Sequence, residues 1–389
     1  MSSYFGLPWS PDLGDLDFWR ETSATGSPVT FRLPPNRRSQ IMSQLKRRGM
    51  QPAVMIANLQ RAIDVEAAAI SEQTQPGLAY FDYDIYHPLN EINNWMLYMA
   101  ANFPHLVSLI NVTTSYEGRN IMAIKVITST AGSQSGTAKP GFLLTGGMHA
   151  REWVSPATVV YMAGQLIEQY EVDEQITAMV EAMDWYIVPV VNPDGYVYSW
   201  TTDRLWRKTR SRRSGHCVGV DPNRNFNWKW CQKGASRNPC RSDYCGPFAF
   251  SETEVKGVAD FMKAVPGRFQ AYVDVHAYSQ MWLLPWAYTR TLSNSHKRLD
   301  DCATAGVRAL TAVHGTRFRK GTVARILYTV SGSGMDWAHG AIKIPYVAGL
   351  ELRDRGNHGF LLPADQIIPT GEETLQGILA MAEHILVNP

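Results

Sequence analysis

The chain has 389 residues, 45% hydrophobic and 19% charged, enough to bury a large core in one big domain or two smaller ones. A formal net charge of +2 gives no field that would favour nucleic acid or an anionic membrane surface. No apolar run approaches the roughly 18 to 20 residues that cross a bilayer, and the opening MSSYFGLPWSPDLGD has neither the basic start nor the apolar stretch of a secretory leader.

From the N-terminus, FWRETSATGSPVTFRLP predicts strand, turn and strand. Ser39 to Arg48 and then IANLQRAIDVEAAAI predict two helices, the second with apolar positions at helical spacing. SEQTQPGLAYFDYD breaks all periodicity and marks a domain boundary near residues 72–80. Beyond it, NIMAIKVIT, GFLLTGG, DWYIVPVV, FQAYVDV and PYVAGLEL are short apolar runs of buried-strand type. They alternate with amphipathic segments. Ser155-Pro156, Ser251 with Glu254 and Thr370 with Glu373 are expected to cap helices. Such alternation predicts an α/β unit with a largely parallel sheet covered on both faces.

Four of the five cysteines (Cys217, Cys231, Cys240, Cys245) fall in one polar stretch, where either disulfides or a zinc knuckle would cluster them. The spacings are too loose for a knuckle, so two disulfides and an oxidising compartment are expected. Cys302, inside the helical pattern LDDCATAGVRAL, is expected to be a buried free thiol. The sequon Asn111-Val112-Thr113 points the same way, towards a secreted protein whose true beginning is expected to lie upstream of this chain.

Ligands gather outside the carboxyl ends of strands in open α/β sheets. Several polar groups stand at such ends: His149 with Glu152, then His276, then Glu351, with Arg204 and Arg207 shortly after a fourth strand. Two imidazoles and a carboxylate suit Zn²⁺ in a catalytic site with one open position. The spacing alone does not bring His276 to the other two.

GGMHAREW, RLWRKTR, GVDPNRNF, LYTVSGSGMDWA and LELRDRGNHGFLLPADQIIPT, in this order, resemble the A/B group of zinc metallocarboxypeptidases from about residue 13 to the C-terminus. The resemblance implies a zymogen. Residues 1–75 would be an inhibitory pro-segment and linker, a small antiparallel α/β sandwich; residues 76–389 would be an enzyme built on a mixed eight-stranded sheet flanked by helices. It implies one Zn²⁺ held by His149, Glu152 and His276, with Asp221 orienting the first histidine. Glu351 would be the general base, and Arg207 would polarise the scissile carbonyl. Asn223 and Arg224 would grip the substrate's terminal carboxylate, with Tyr328 closing over it. Arg151, Arg204, Tyr278 and Phe360 would line the groove for upstream residues. Disulfides Cys217–Cys240 and Cys231–Cys245 are implied as well. In the remaining basic run, Arg212 and Arg213 are expected to form a solvated face.

The resemblance places Met335 at the base of the specificity pocket, with Val323, Val330, Ala287 and Gly349 on its walls. A neutral, deformable methionine selects apolar side chains, and Gly349 stands where A-type pancreatic enzymes carry threonine, leaving extra room. A hydrophobic or aromatic C-terminal residue is therefore expected as the preferred substrate of a monomer without nucleic-acid or membrane partners. The pro-segment reads as N-terminally truncated relative to the family. No Lys or Arg occurs between Arg61 and Arg119, so an activating protease of non-tryptic specificity is expected. Two other readings are a non-catalytic zinc-fold binding protein and a cytosolic tail-trimming enzyme. The complete ligand, base and arginine set opposes the first, and the methionine pocket with its cysteines opposes the second.

Overall fold

The computed structural model describes residues 16–20, 26, 28–73, 81–128, 139–212, 216–264 and 269–389. The N-terminal stretch before Leu16, most of the linker read at 72–80, and Arg213 lie outside them. In chain order the elements are β1 (Asp17–Arg20), β2 (Thr30–Arg32), α1 (Arg38–Arg47), α2 (Leu59–Gln73), α3 (Leu89–Asn102), β3 (Val107–Thr114) and β4 (Asn120–Val126). Next come β5 (Gly141–Thr145), α4 (Val154–Glu168), α5 (Glu174–Ala182), β6 (Asp184–Val188), α6 (Pro193–Thr201) and α7 (Thr253–Ala264). They are followed by β7 (Phe269–His276), β8 (Met281–Leu284), α8 (His296–His314), β9 (Arg319–Thr322), α9 (Val323–Ile326), α10 (Gly334–Gly340), β10 (Tyr346–Glu351) and α11 (Ile367–Val387).

The large sheet has eight strands in the order β3-β4-β6-β5-β7-β10-β8-β9. Its centre, β6-β5-β7-β10, is parallel, while the β3–β4, β4–β6 and β10–β8 pairs are antiparallel. The largely parallel sheet expected from the alternation is thus mixed. The flanking strands VSLINVTT, MWLL and RKGT escaped that reading because they are short or only half-buried. GFLLT of β5 is buried at every position, because helices cover both faces. Leu144, Ile187 and Val273, level across three strands, join the core under α3, α4, α8 and α11. Their neighbours Leu143, Tyr186 and Tyr272 face a second core with Val258 and Met262 of α7.

The expected helix caps are corrected. Helix α4 starts at Val154, and the Ser155 hydroxyl instead accepts the Gly147 N–H (3.0 Å) and donates to the Val275 carbonyl (2.5 Å). Glu254 accepts the Tyr116 N–H at 2.9 Å, and Ser251 donates to Glu252 at 2.9 Å. Thr370 lies inside α11, and Glu373 takes a forked pair of bonds from Arg353. At Ser155 and Glu254 a group remote in sequence outcompetes the local backbone, whereas Thr370 lies inside a helix that has already begun and donates to the Gln366 carbonyl one turn back at 2.6 Å.

The N-terminal unit pairs β1 with β2 antiparallel and packs α1 on them. Its own core is Leu16, Ile41 and Leu45, edged by Phe18, Phe31, Leu33 and Met50. Leu59, Ile63 and Ile70 of α2 instead pack against the core of the large sheet.

Candidate active site

Strand β5 ends at Thr145, and Gly146-Gly147 turn the chain. Gly147 has φ +61°, and an added Cβ would meet the Pro189 carbonyl at 3.0 Å. The turn delivers His149 and Glu152 just before α4. Its sheet neighbour β7 ends at His276, and β10 ends at Glu351, level with His276 in the parallel register. Sheet order therefore does what sequence spacing could not.

His149, Glu152 and His276 are buried, and their donor atoms lie within 4.8 Å of one another. His149 Nδ1 is 2.8 Å from Glu152 Oε1, and His276 Nδ1 is 3.0 Å from Glu152 Oε2 and 3.1 Å from His149 Nδ1. Each imidazole turns its other nitrogen to a carboxylate: His149 Nε2 to Asp221 (3.1 Å) and His276 Nε2 to Asp274 (2.8 Å). That arrangement sets the Nε2–H tautomer and leaves both Nδ1 lone pairs aimed at one point. Two such nitrogens and a carboxylate oxygen fit Zn²⁺.

The electrostatics agree. Burial works against the Glu152 carboxylate, yet His149 and His276 hold its pKa far below the usual range. Burial also opposes Asp221, and Arg207, Arg224 and His149 overcome it. At His276 burial disfavours charge, but Asp274 and Glu152 raise its pKa well above the ordinary value, so the site favours positive charge there.

Arg207 donates through Nε (3.2 Å) and Nη2 (3.0 Å) to Asp221 Oδ2, and its Nη1 lies 3.6 Å from Glu152. Glu351 is carried up to about 8 by burial, with His276 opposing and Glu152 adding. Asp221 also starts the single turn Pro222–Arg224 by accepting the Asn223 N–H at 2.9 Å. Asn223 Oδ1 accepts the Gly334 N–H at 3.0 Å, and its amide nitrogen lies 3.2 Å from His276 Nε2. Arg224 is buried, with Nε on the Gly234 carbonyl at 2.8 Å. Half-buried Tyr328 acts electrostatically on both Arg207 and Arg224, which puts all three side chains in one neighbourhood.

Met335, Ala287, Val323 and Val330 share the second core. A Cβ built on Gly349 would lie 3.6 Å from Leu283 and 3.8 Å from the Met335 sulfur, in ordinary contact, so this glycine does open space beside Met335. On the other side Arg151 lies over the Phe360 ring at 4.3 Å, and Tyr278 meets that ring at 5.1 Å. Arg204 donates to the Arg151 and Phe360 carbonyls at 2.9 and 2.7 Å.

That groove is filled from the N-terminal unit. Arg151 donates to both oxygens of Asp17 (2.9 and 3.0 Å), and Arg204 forms a two-pronged pair with Glu66 (2.5 and 3.0 Å). Trp19 packs on Phe360 with ring centres 5.1 Å apart, and Met55 lies against Gly356 and Gly359.

Cys217–Cys240 and Cys231–Cys245 are both disulfides, and Cys302 is a buried free thiol. Arg212 is exposed, whereas Arg210 is buried between Tyr198 (3.5 Å) and Trp206 (4.4 Å). Sequence reasoning missed three residues. Asp274 was legible as a charge inside an apolar strand two places before the ligand histidine, a position that requires a partner. Nothing in the sequence marked Asp17 or Glu66, because their partners come from distant strand ends.

The zinc carboxypeptidase family profile matches residues 92–377, and the carboxypeptidase activation peptide profile matches residues 10–66. Carboxypeptidase A2 of Rattus norvegicus is 39% identical over 378 residues, covering 96% of this chain and 88% of that protein. Carboxypeptidase B of Astacus astacus is 42% identical over 306 residues, covering 78% of this chain and 98% of that one. The crystal structure of thrombin activatable fibrinolysis inhibitor superposes with a TM-score of 0.87 at 34% identity, covering 96% of this chain and 93% of its own.

Proposed function

The chain belongs to the zinc carboxypeptidase family and carries that family's activation peptide, and from this premise we propose that it removes hydrophobic or aromatic C-terminal residues and is latent until its pro-segment leaves. As a zinc carboxypeptidase it hydrolyses the terminal peptide bond of peptides and proteins.

His149, Glu152 and His276 would hold Zn²⁺, which when bound would supply Lewis-acid polarisation of the scissile carbonyl and of the attacking water. Glu351, half-buried and with a raised affinity for protons, takes the water's proton and passes it to the leaving amine. Arg207, fixed by Asp221, offers its guanidinium to the oxyanion that develops on the former carbonyl. Arg224 and Asn223 receive the terminal carboxylate, and Tyr328 covers it. Because the clamp stands one residue beyond the scissile bond, only the last residue is released.

The observation that carries the substrate preference is Met335 beside Gly349: a neutral pocket end with room for one more carbon. The relatives include enzymes named for both A and B types, so the pocket decides. Latency is supported by Asp17 and Glu66 occupying both groove arginines while Trp19 covers Phe360.

The division at 75/76, a monomeric state, and release by a protease that cuts beside apolar residues of the TQPGLAY linker complete this reading. Secretion is supported by the two disulfides. Among the described residues no helix is long and apolar enough to cross a membrane. Peptides ending in Phe, Leu, Lys or Glu, incubated with the released enzyme with and without a zinc chelator, test the proposal. Chelator-sensitive release of Phe and Leu alone is expected; comparable release of Lys would refute the pocket assignment.

A further inference from the structure

Two parts of the carboxylate clamp come from separate places: Arg224 from the turn after Asp221, and Tyr328 from the segment after α9. One loop touches Arg224 and the residues that directly follow Tyr328. Cys231–Cys245 closes a loop of 14-residue separation, and Cys245 is fully buried. The Gly234 carbonyl at its tip accepts Arg224 Nε at 2.8 Å. The Gln232 N–H donates to Ser331 Oγ at 2.9 Å, three residues past Tyr328.

Gly234 has φ +84°, and an added Cβ would stand 1.7 Å from the Thr329 carbonyl oxygen and 2.9 Å from Val330 Cα. Only a glycine adopts that backbone and permits that approach. The far end of the loop is anchored too: the Cys245 carbonyl accepts Asn225 Nδ2 (2.8 Å) and Trp230 Nε1 (2.9 Å).

We infer that the Cys231–Cys245 loop, acting through Gly234, positions Arg224 and the Tyr328 segment relative to each other and so sets the affinity for the substrate's terminal carboxylate. Gly234 and the crosslink are positioning elements; neither reaches the reacting atoms. Opening the crosslink frees the Gly234 carbonyl to leave Arg224 and lets the Thr329–Ser331 segment shift. The clamp then loosens, while the metal ligands, Glu351 and Arg207, held by other contacts, stay in place. The inference rests on the clamp role given to Arg224 above.

The test uses enzyme released from the full chain by limited proteolysis in the 74–80 linker, with three variants and one control. The variants are Gly234→Ala, the pair Cys231→Ser with Cys245→Ser, and Arg224→Lys; the control is the pair Cys217→Ser with Cys240→Ser. The readouts are KM and kcat on a peptide ending in Phe, competitive inhibition by free phenylalanine, and zinc content. Both loop variants should raise KM and the inhibition constant about tenfold, as misplacing one charge-assisted hydrogen bond would. Their kcat should stay within about twofold and zinc should be retained. The pair Cys217→Ser with Cys240→Ser should leave KM unchanged. If Arg224→Lys raises KM and neither loop variant does, the loop has no positioning role. If Arg224→Lys itself leaves KM unchanged, the clamp reading falls and takes the loop with it. Equal loss of kcat with loss of zinc in both loop variants would reduce the loop to general support and overturn the inference.

Discussion

The N-terminal unit and the large sheet are held together by different forces. Around β5, β7 and β10 the protein stands on two apolar cores, with side chains such as Leu144 and Val273 fully buried. Among its described residues the pro-segment has three buried hydrophobics of its own, Leu16, Ile41 and Leu45. It keeps its place by lending carboxylates to Arg151 and Arg204, an indole to Phe360, and Leu59, Ile63 and Ile70 of α2 to the edge of the large core. A unit with so small a core depends on its host, and a contact made by ion pairs and a few half-buried apolar side chains is easier to undo than one made by a core. That difference suits a part that must leave.

The comparison can be broken most sharply in the cores. Leu144→Ala should cost about 2 to 5 kcal/mol and lower the unfolding midpoint of both the uncleaved chain and the released enzyme. Ile41→Ala deletes a similar volume, yet it should leave the sheet's transition in place and raise the activity of the uncleaved chain. Differential scanning calorimetry with a peptide assay separates the two; a common transition shifted equally by both would show one cooperative unit.

The ion pairs come next. Arg151 and Arg204 are nearly inaccessible, so stripping their partners leaves buried charge. Asp17→Asn with Glu66→Gln should weaken docking by about 2 kcal/mol or more. Uncleaved chain carrying both changes should hydrolyse a Phe-ending peptide at least tenfold faster than the uncleaved parent. Unchanged latency would assign the blockade to Trp19 and Met55 instead.

Acid should push the two regions in opposite directions, with the smallest effect. Burial raises the Asp17 carboxyl, but Arg151 outweighs it and leaves the pKa below its ordinary 3.8. Its contribution to docking is therefore complete above that value and lost as pH falls through the lower, folded value. In the large unit Glu254 is raised by burial to about 7 from an ordinary 4.5, with Glu252 and Asp194 adding to the shift. Its folded form binds the proton more tightly, so that contribution is full below 4.5 and fades as pH rises to about 7. Glu254→Gln should flatten the fall in midpoint over that interval by about 2 °C, read by thermal scans in matched buffers.

Much of the site was legible because its residues sit where apolar runs stop. GFLLTGG announced a strand end before His149, and LELRD announced Glu351. The meeting of His149 with His276 was not legible from spacing: it depends on β7 lying beside β5, a neighbour relation across a sequence separation of 127 between the two histidines. The failed caps at Ser155, Ser251 and Thr370 have different causes. Ser155 finds the Val275 carbonyl in the interior, whereas Ser251 turns to its neighbour Glu252 and Thr370 to the Gln366 carbonyl, inside a helix that has already begun. Gly234 gave no sign at all, since a close approach to Thr329 leaves no trace in the residues around it.

Ser155 shows what such a diverted hydroxyl achieves. It joins the Gly147 turn, two residues before one ligand, to the Val275 carbonyl, one residue before another. The separation of the two imidazoles is thus settled while the chain folds, and the ordering entropy is met by the interior rather than by the ion. A site made in that way is a rigid socket: stripped of its metal, the protein should stay folded, and it should take zinc back without rearranging.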